Sequence, residues 1–358
     1  MYFFKKKLQI LFKCVISEIF KFFYGKIYYT NSKNSEITIK EISKGKNNYK
    51  LVEITNGRIY TDYVENVAII NKNQLINHVS YQQIKGELKD PSFNVVTKKG
   101  TPRIKKKYSG KVFSMVQGAS GNNNYFHWLF DILPRLIILE NFYNIDDINY
   151  FYAPEIKQWQ LDTLSIFKIN KDRLINSNKN RHIVADKILA TSHPWYNKGY
   201  ILNEAKNLPS WIINDIYLKF YKLGKMFDCK NKIFIDRRES RYNHCQIIND
   251  KEVKEFLIKK NFSIYQVGQL SFFEQIYLFQ NAEIIIGAHG AAFANLIFCK
   301  PKTRILEVIP EDHPNTVNRT ISDFKDLNYI PIKTKKLLDN QKINGDMILS
   351  LNEIEKLI

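Results

Sequence analysis

The chain has 358 residues, and 54 Lys and Arg against 35 Asp and Glu give it a formal charge of +19 at pH 7. With 44% hydrophobic and 14% aromatic residues but only 14 Gly and 10 Pro, it can fill an ordinary core. That excludes a disordered, collagen-like or miniature protein and leaves one or two globular domains. The basic excess attracts phosphate, and so invites a nucleic-acid or anionic-membrane partner. Lys, Asn, Ile, Tyr and Phe are abundant together, however, so part of the charge follows from compositional bias. Cys14, Cys229, Cys245 and Cys299 form no C-x-x-C pair, which speaks against a disulfide framework or structural zinc and fits reducing cytosol.

The segment Met1 to Tyr29 carries six Lys and one Glu. Lys13, Glu18 and Lys21 interrupt its apolar stretch, and a central charge costs a spanning helix roughly 2.5 to 3.5 kcal/mol, so a membrane span is rejected. Leu8, Leu11, Phe12, Val15, Ile19 and Phe22 share one helical face, with Lys6, Lys13, Ser17 and Lys21 on the other. This predicts a short basic amphipathic helix, lying either on anionic headgroups of the cytoplasmic leaflet or on the protein's own surface. No small-residue cleavage site follows it, so secretion is not expected.

From Ser35 to Thr97 the pattern predicts short strands (Ile37 to Ile42, Tyr49 to Ile54, Val64 to Ile70), and Lys98 to Lys107 an exposed basic loop before a strand from Lys111 to Gln117. A turn-rich stretch, Gly118 to Asn124, leads into a helix from Tyr125 to Asn141. Asn124 is its candidate cap, and Pro134 predicts a kink or break. A strand is expected at Asn149 to Tyr152, a helix at Glu155 to Phe167, one or two strands from Arg181 to Thr191, and a helix from Ser210 to Met226.

The second half alternates regularly. Strands at Lys232 to Asp236, Phe262 to Gln266, Glu283 to Gly287 and Arg304 to Ile309 are separated by helices at Asp250 to Lys260, Phe272 to Asn281 and Ala291 to Cys299. Ser271 and Glu274 form a capping box for the second helix. Such alternation predicts a parallel sheet covered on both faces, with ligands beyond the carboxyl ends of its strands. The expected organisation is a basic segment 1–29, an N-terminal domain 30–200, a Rossmann-like domain 201–335, and a tail with a short helix 336–358.

Three clusters carry candidate chemistry. His127, Asp131 and Arg135 stand at i, i+4 and i+8, on one stripe of an otherwise apolar helix. They are either an internal network, or a base and its orienter in either order with Arg135 holding the carboxylate ionised. In Ile284 to Asn295 a buried strand meets a glycine turn and then small residues. Close approach of a phosphate to the first-turn N–H groups would suit Gly290, Ala291 and Ala292. His289 sits at the turn itself. Arg237, Arg238 and Arg241 follow the first strand of the second half, where guanidinium forks match phosphate oxygens. Glu307 is a candidate acceptor for ribose hydroxyls.

The combination Asn124-x-x-His127-Trp128-x-x-Asp131-x-Leu133-Pro134-Arg135-Leu136, Arg237-Arg238 ahead of Ile248-Asn249-Asp250, Gln275-Ile276, Ile285 to Asn295, and Leu306-Glu307-x-x-Pro310 resembles family 61 glycosyltransferases. The similarity covers Val112 to Pro310. Ala292 and Phe293 stand where that family often has Gly and Leu, and Asp250 where Glu is frequent, which bears on donor preference.

The resemblance implies an α/β, GT-B-like fold of two Rossmann-like domains facing across a cleft. It also implies a nucleotide-sugar donor, commonly a UDP-sugar, inversion at the anomeric carbon and no metal requirement. Bacterial members serve capsule or surface polysaccharide assembly. On this expectation His127 and Asp131 are catalytic, and Arg237, Arg238, Arg241, His289, Gly290, Ala291, Ala292, Asn295 and Glu307 hold the donor. Asn124, Trp128 and Arg135 support the acceptor side. No cofactor is expected, and the absence of an Asp-x-Asp pair removes the usual metal grip on a diphosphate. The expected partners are a nucleotide-sugar, a polysaccharide or lipid-linked saccharide acceptor and an anionic membrane surface, with the protein cytoplasmic and peripheral. The alternatives are a non-catalytic basic membrane- or nucleic-acid-binding protein on a Rossmann-like scaffold, and a glycan hydrolase.

Overall fold

A computed structural model describes residues 2–29, 35–63, 66–84, 87–89, 91–116, 124–195, 199–200, 207–237, 245–314, 317–335 and 345–358. The expected donor residues Arg238 and Arg241, and most of the Gly118 to Asn124 turn, lie outside the described residues. The chain divides into two compact units, Met1–Glu204 and Ala205–Ile358.

In the first unit the strand His182–Thr191 is the hinge of a mixed sheet. One side pairs antiparallel with Asn47–Thr55 and Arg58–Tyr63, members of two successive hairpins with Ile37–Lys44 and Asn66–Asn71. Its other side pairs parallel with Lys106–Ser114, which is followed outward by Tyr150–Ala153 and Leu174–Asn176, all parallel. Such pairing needs crossovers, and helices supply them between the first three of these strands. The unit therefore differs from a pure Rossmann-like domain, because its residues 37–89 form antiparallel strands ahead of the α/β portion. Val52, Ile54, Ile59, Ile69, Val112, Ile183 and Ile188 build one continuous buried cluster across both portions.

The second unit is a five-stranded parallel sheet of Lys232–Ile235, Ser263–Tyr265, Ile284–Ala288, Arg304–Pro310 and Asn328–Thr334. Numbered in chain order, the strands lie 2-1-3-4-5. Winding therefore reverses between strands 1 and 3, and right-handed crossovers put helices on both faces. The helix Phe272–Asn281 starts at the expected capping box, with Ser271 Oγ accepting from Glu274 N and Glu274 returning to the Ser271 N–H. Ala291–Phe298 is a 3₁₀ helix rather than the expected α-helix, and Gly290 offers no side-chain cap. The helix Val317–Phe324 and the edge strand Asn328–Thr334 had no counterpart in the sequence reading. Met347, Leu349 and Ile354 join Val253, Leu257 and Leu306 in one buried cluster, so residues 345–358 belong to this unit's core.

Candidate functional site

Each unit contains a histidine backed by a buried carboxylate. In the first unit Asn124 caps the turn Tyr125–His127, its Oδ1 accepting the His127 N–H at 3.3 Å. The next five residues, Trp128–Ile132, form a π-helical turn before the α-helix Leu133–Glu140. Pro134 has no N–H for the Phe130 carbonyl, and the Leu133 N–H reaches back five residues to Trp128. The expected kink is thus an expanded turn, and it shifts the phase of everything downstream.

That shift separates the expected stripe. His127 donates from Nδ1 to Asp131 Oδ2 at 2.7 Å, as the i, i+4 spacing requires. Arg135 instead donates from Nη1 to the Met115 carbonyl at 3.1 Å, and its Nε and Nη2 find no partner among the described residues. The carboxylate is held by residues distant in sequence: Trp195 Nε1 donates to Oδ1 at 2.7 Å, and His193 Nε2 lies 3.8 Å from Oδ2. Burial opposes the charge on Asp131, yet His127 and His193 hold its carboxyl well below the usual carboxylate range. Burial also lowers Arg135 to about 10.

Asp131 is fully buried, while the His127 side chain keeps 20% exposure. An ionised carboxylate only accepts, so the nitrogen facing it, Nδ1, carries a proton, and the tautomer this selects leaves a lone pair on Nε2. His127 can therefore exchange a proton with a ligand, and Asp131 can only orient it. Trp128, expected to support a substrate, is fully buried and donates Nε1–H to Thr163 Oγ1 at 2.8 Å. It fixes the helix to Gln158–Ile166.

In the second unit the carboxyl ends of strands 1 and 3 carry Arg237 and the His289–Gly290 turn. These strands are neighbours, in the register Ile235 to Gly287. Gly287 is required there, because a Cβ would come within 2.9 Å of Ile235 Cβ. Arg237 donates from Nη1 to the His289 carbonyl, and a Cβ on Gly290 would stand 2.8 Å from Arg237 Nε. The glycine thus lets the guanidinium lie against the backbone.

His289 donates from Nδ1 to Glu307 Oε1 at 2.6 Å and keeps 22% side-chain exposure. Its ring also packs on His313, with centroids 4.2 Å apart. Asn318 Nδ2 donates to Glu307 Oε1 at 2.6 Å, and the Tyr329 hydroxyl donates to Oε2. Burial would raise the Glu307 pKa, but His289, Tyr329 and Asn318 hold it below the ordinary range.

Glu307 is fully buried with both oxygens engaged, so it orients His289 and does not meet a ribose as expected. Asn295 is also turned inward, donating to Gln275 Oε1 at 3.0 Å and to the Ala292 carbonyl at 3.2 Å. It ties the 3₁₀ helix to Phe272–Asn281. Ala291 and Ala292 open that helix, where they are partly exposed. Among the described residues no group of three or more His, Cys, Asp or Glu side chains is placed to hold a metal ion.

The reading of the sequence missed His193, Trp195, His313, Asn318 and Tyr329. All of them reach their partners across long stretches of chain, and only the Thr191-Ser192-His193-Pro194-Trp195 run offered a local signal, polar and aromatic residues directly after a strand.

A 2-1-3-4-5 parallel sheet makes the second unit a Rossmann-like, doubly wound α/β domain, a class whose ligands bind at the point where the strand order reverses. The Glycosyltransferase 61 family model matches residues 125–306, just over half of the chain, and the protein belongs to that family. It is a glycosyltransferase, an enzyme that moves the sugar of a nucleotide-sugar donor onto a saccharide acceptor and releases the nucleotide. The non-catalytic binding-protein and hydrolase alternatives fall with this finding. The match opens at Tyr125, two residues before His127, and closes at Leu306, beside Glu307. No curated protein matches the chain.

Proposed function

We propose that the enzyme is an inverting glycosyltransferase that takes its donor, a UDP-sugar, at the carboxyl ends of strands 1 and 3. Its acceptor is a hydroxyl of a growing capsule or surface polysaccharide, or of a lipid-linked saccharide. The observation that carries the reading is the convergence of Arg237 with the His289–Gly290 turn at the reversal point of the sheet, where ligands of doubly wound folds bind. A two-domain GT-B organisation is part of the same proposal.

His127 acts as general base: Nε2 takes the acceptor hydroxyl's proton as that oxygen attacks the anomeric carbon in line with the departing diphosphate. Asp131 fixes the ring and stabilises the imidazolium that forms. His289, oriented by Glu307 and carrying a proton on each ring nitrogen, donates from Nε2 to the leaving diphosphate, and Arg237 neutralises developing charge. Arg238 and Arg241 follow Arg237 in sequence and are assigned to the same anion. Because guanidinium and imidazole groups perform the neutralisation, turnover is metal-independent.

The test is a screen of nucleotide-sugars with saccharide acceptors, reading nucleoside diphosphate release with and without EDTA. Acceptor-dependent release that persists in EDTA is expected. A strict Mg²⁺ or Mn²⁺ requirement contradicts metal independence, and stabilisation by duplex DNA but by no nucleotide contradicts the donor assignment.

A further inference from the structure

The N-terminal helix Tyr2–Tyr24 docks on the first unit by the wrong side for an ordinary amphipathic helix. Its docked side carries Ser17, Lys21 and Tyr24, at i, i+4 and i+7, with Ile16 and Phe20 half-buried beside them. The Ser17 hydroxyl donates to the Lys99 carbonyl, and the Lys21 stem lies against Gly100. The Tyr24 ring meets His182 edge-on at 5.4 Å and receives the Lys105 ammonium at 4.3 Å. The apolar stripe faces away from the protein. Leu8, Leu11, Phe12, Val15, Ile19, Phe22 and Phe23 are all exposed, with Phe12 at 67% and Phe22 at 85%. Residues 5–15 are all exposed.

A row of large apolar side chains left in water is unfavourable unless something covers it, at roughly 25 cal/mol per Å² of apolar surface. The surrounding charge says what. Lys5, Lys6, Lys7 and Lys13 are exposed on the same helix. The exposed segment Arg103, Lys105, Lys106 and Lys107, in which Ile104 is 82% exposed, adjoins the helix at Tyr24. No helix among the described residues is long and apolar enough to cross a membrane.

The geometry points to an anionic lipid surface as the occupant: the helix lies in the headgroup plane with its apolar stripe among the acyl chains and its lysines on the phosphates, held to the enzyme by its polar side. Phosphate chemistry alone would also suit a nucleic acid, but a duplex has no use for seven apolar side chains. The inference stands independently of the donor assignment. It agrees with peripheral attachment at the cytoplasmic leaflet and with a lipid-linked acceptor.

The test is co-sedimentation of the full-length protein with vesicles of phosphatidylcholine alone or with one-third phosphatidylglycerol. Binding to the mixed vesicles is expected, weakening by roughly fivefold, about 1 kcal/mol, for each of Lys5, Lys6 and Lys7 changed to Gln. Leu11→Glu with Phe12→Glu, both on the free stripe, should lower partitioning at least tenfold with an unchanged thermal midpoint. Hydrogen exchange on the unaltered protein gives a second reading, with vesicles slowing exchange across residues 5–23.

Any of four results overturns the proposal: no vesicle binding, equal binding by a folded stripe variant, unchanged exchange, or a stripe that instead forms a dimer lost in the variant. Binding to duplex DNA in place of vesicles does the same.

Discussion

Replacing Asp131 by Asn preserves volume while inverting one hydrogen bond. The amide oxygen can still accept from Trp195 Nε1, now 2.7 Å from Oδ1. The amide nitrogen then faces His127 Nδ1 and, being a donor, forces the proton onto Nε2, the atom that must accept one. Loss of the base is worth about 10² to 10⁴ in rate, or roughly 3 to 5 kcal/mol of transition-state stabilisation. The stability cost is smaller, about 1 to 3 kcal/mol for a buried polar mismatch. Arg237, His289 and Glu307 belong to the other unit, so nucleotide affinity should not change. The assay is nucleoside diphosphate release at saturating donor and acceptor, with UDP affinity by calorimetry and fold by circular dichroism. A folded Asp131→Asn enzyme with kcat within a factor of about three of the parent would refute the base assignment. So would a loss of UDP binding parallel to the loss of kcat.

Arg237→Ala should weaken UDP binding about 10- to 100-fold, the scale of one charge-assisted hydrogen bond. Gly290→Ala should follow it, because the new Cβ pushes the guanidinium aside; calorimetry showing wild-type affinity in both would contradict the donor site. Glu307→Gln should lower kcat while leaving the acceptor KM unchanged, and a selective rise in acceptor KM would count against its role behind His289. The fold should also lose stability in mild acid. Burial pushes His182 down to about 4, so between pH 6.5 and 4 the unfolded chain binds a proton that the folded one does not. This costs about 2 kcal/mol by pH 5 and is regained as pH rises. The depressed Asp131 and Glu307 act in the same direction only lower, as pH falls below the ordinary carboxylate range. Urea midpoints from pH 7 to 5 should fall less steeply in His182→Gln, and equal slopes would contradict the assignment.

What could be read from sequence was local. The Ser271–Glu274 box fixed a helix start because both partners lie within one turn, and the alternating second half announced a parallel sheet through periodicity alone. Pro134 announced a break, but whether the chain kinks or widens into a π turn depends on packing around Trp128 and Phe130. Ala291–Phe298 is apolar at every position but Asn295 and lacks a capping side chain, so nothing local distinguished 3₁₀ from α.

The environments of the two carboxylates were hidden for a related reason. Asp131 meets Trp195 sixty-four positions later, and Glu307 is closed over by a helix and an edge strand that follow it. The stripe on the first helix was visible, whereas the side by which it docks was set by Lys99, Gly100 and His182, far along the chain.

The central claim concerns where the donor's diphosphate lies, and a crystal structure with UDP tests it most directly. The account predicts both phosphates within hydrogen-bonding distance of Arg237 and of the His289–Gly290 turn. A nucleotide bound away from the carboxyl ends of strands 1 and 3, with those groups untouched, would contradict it.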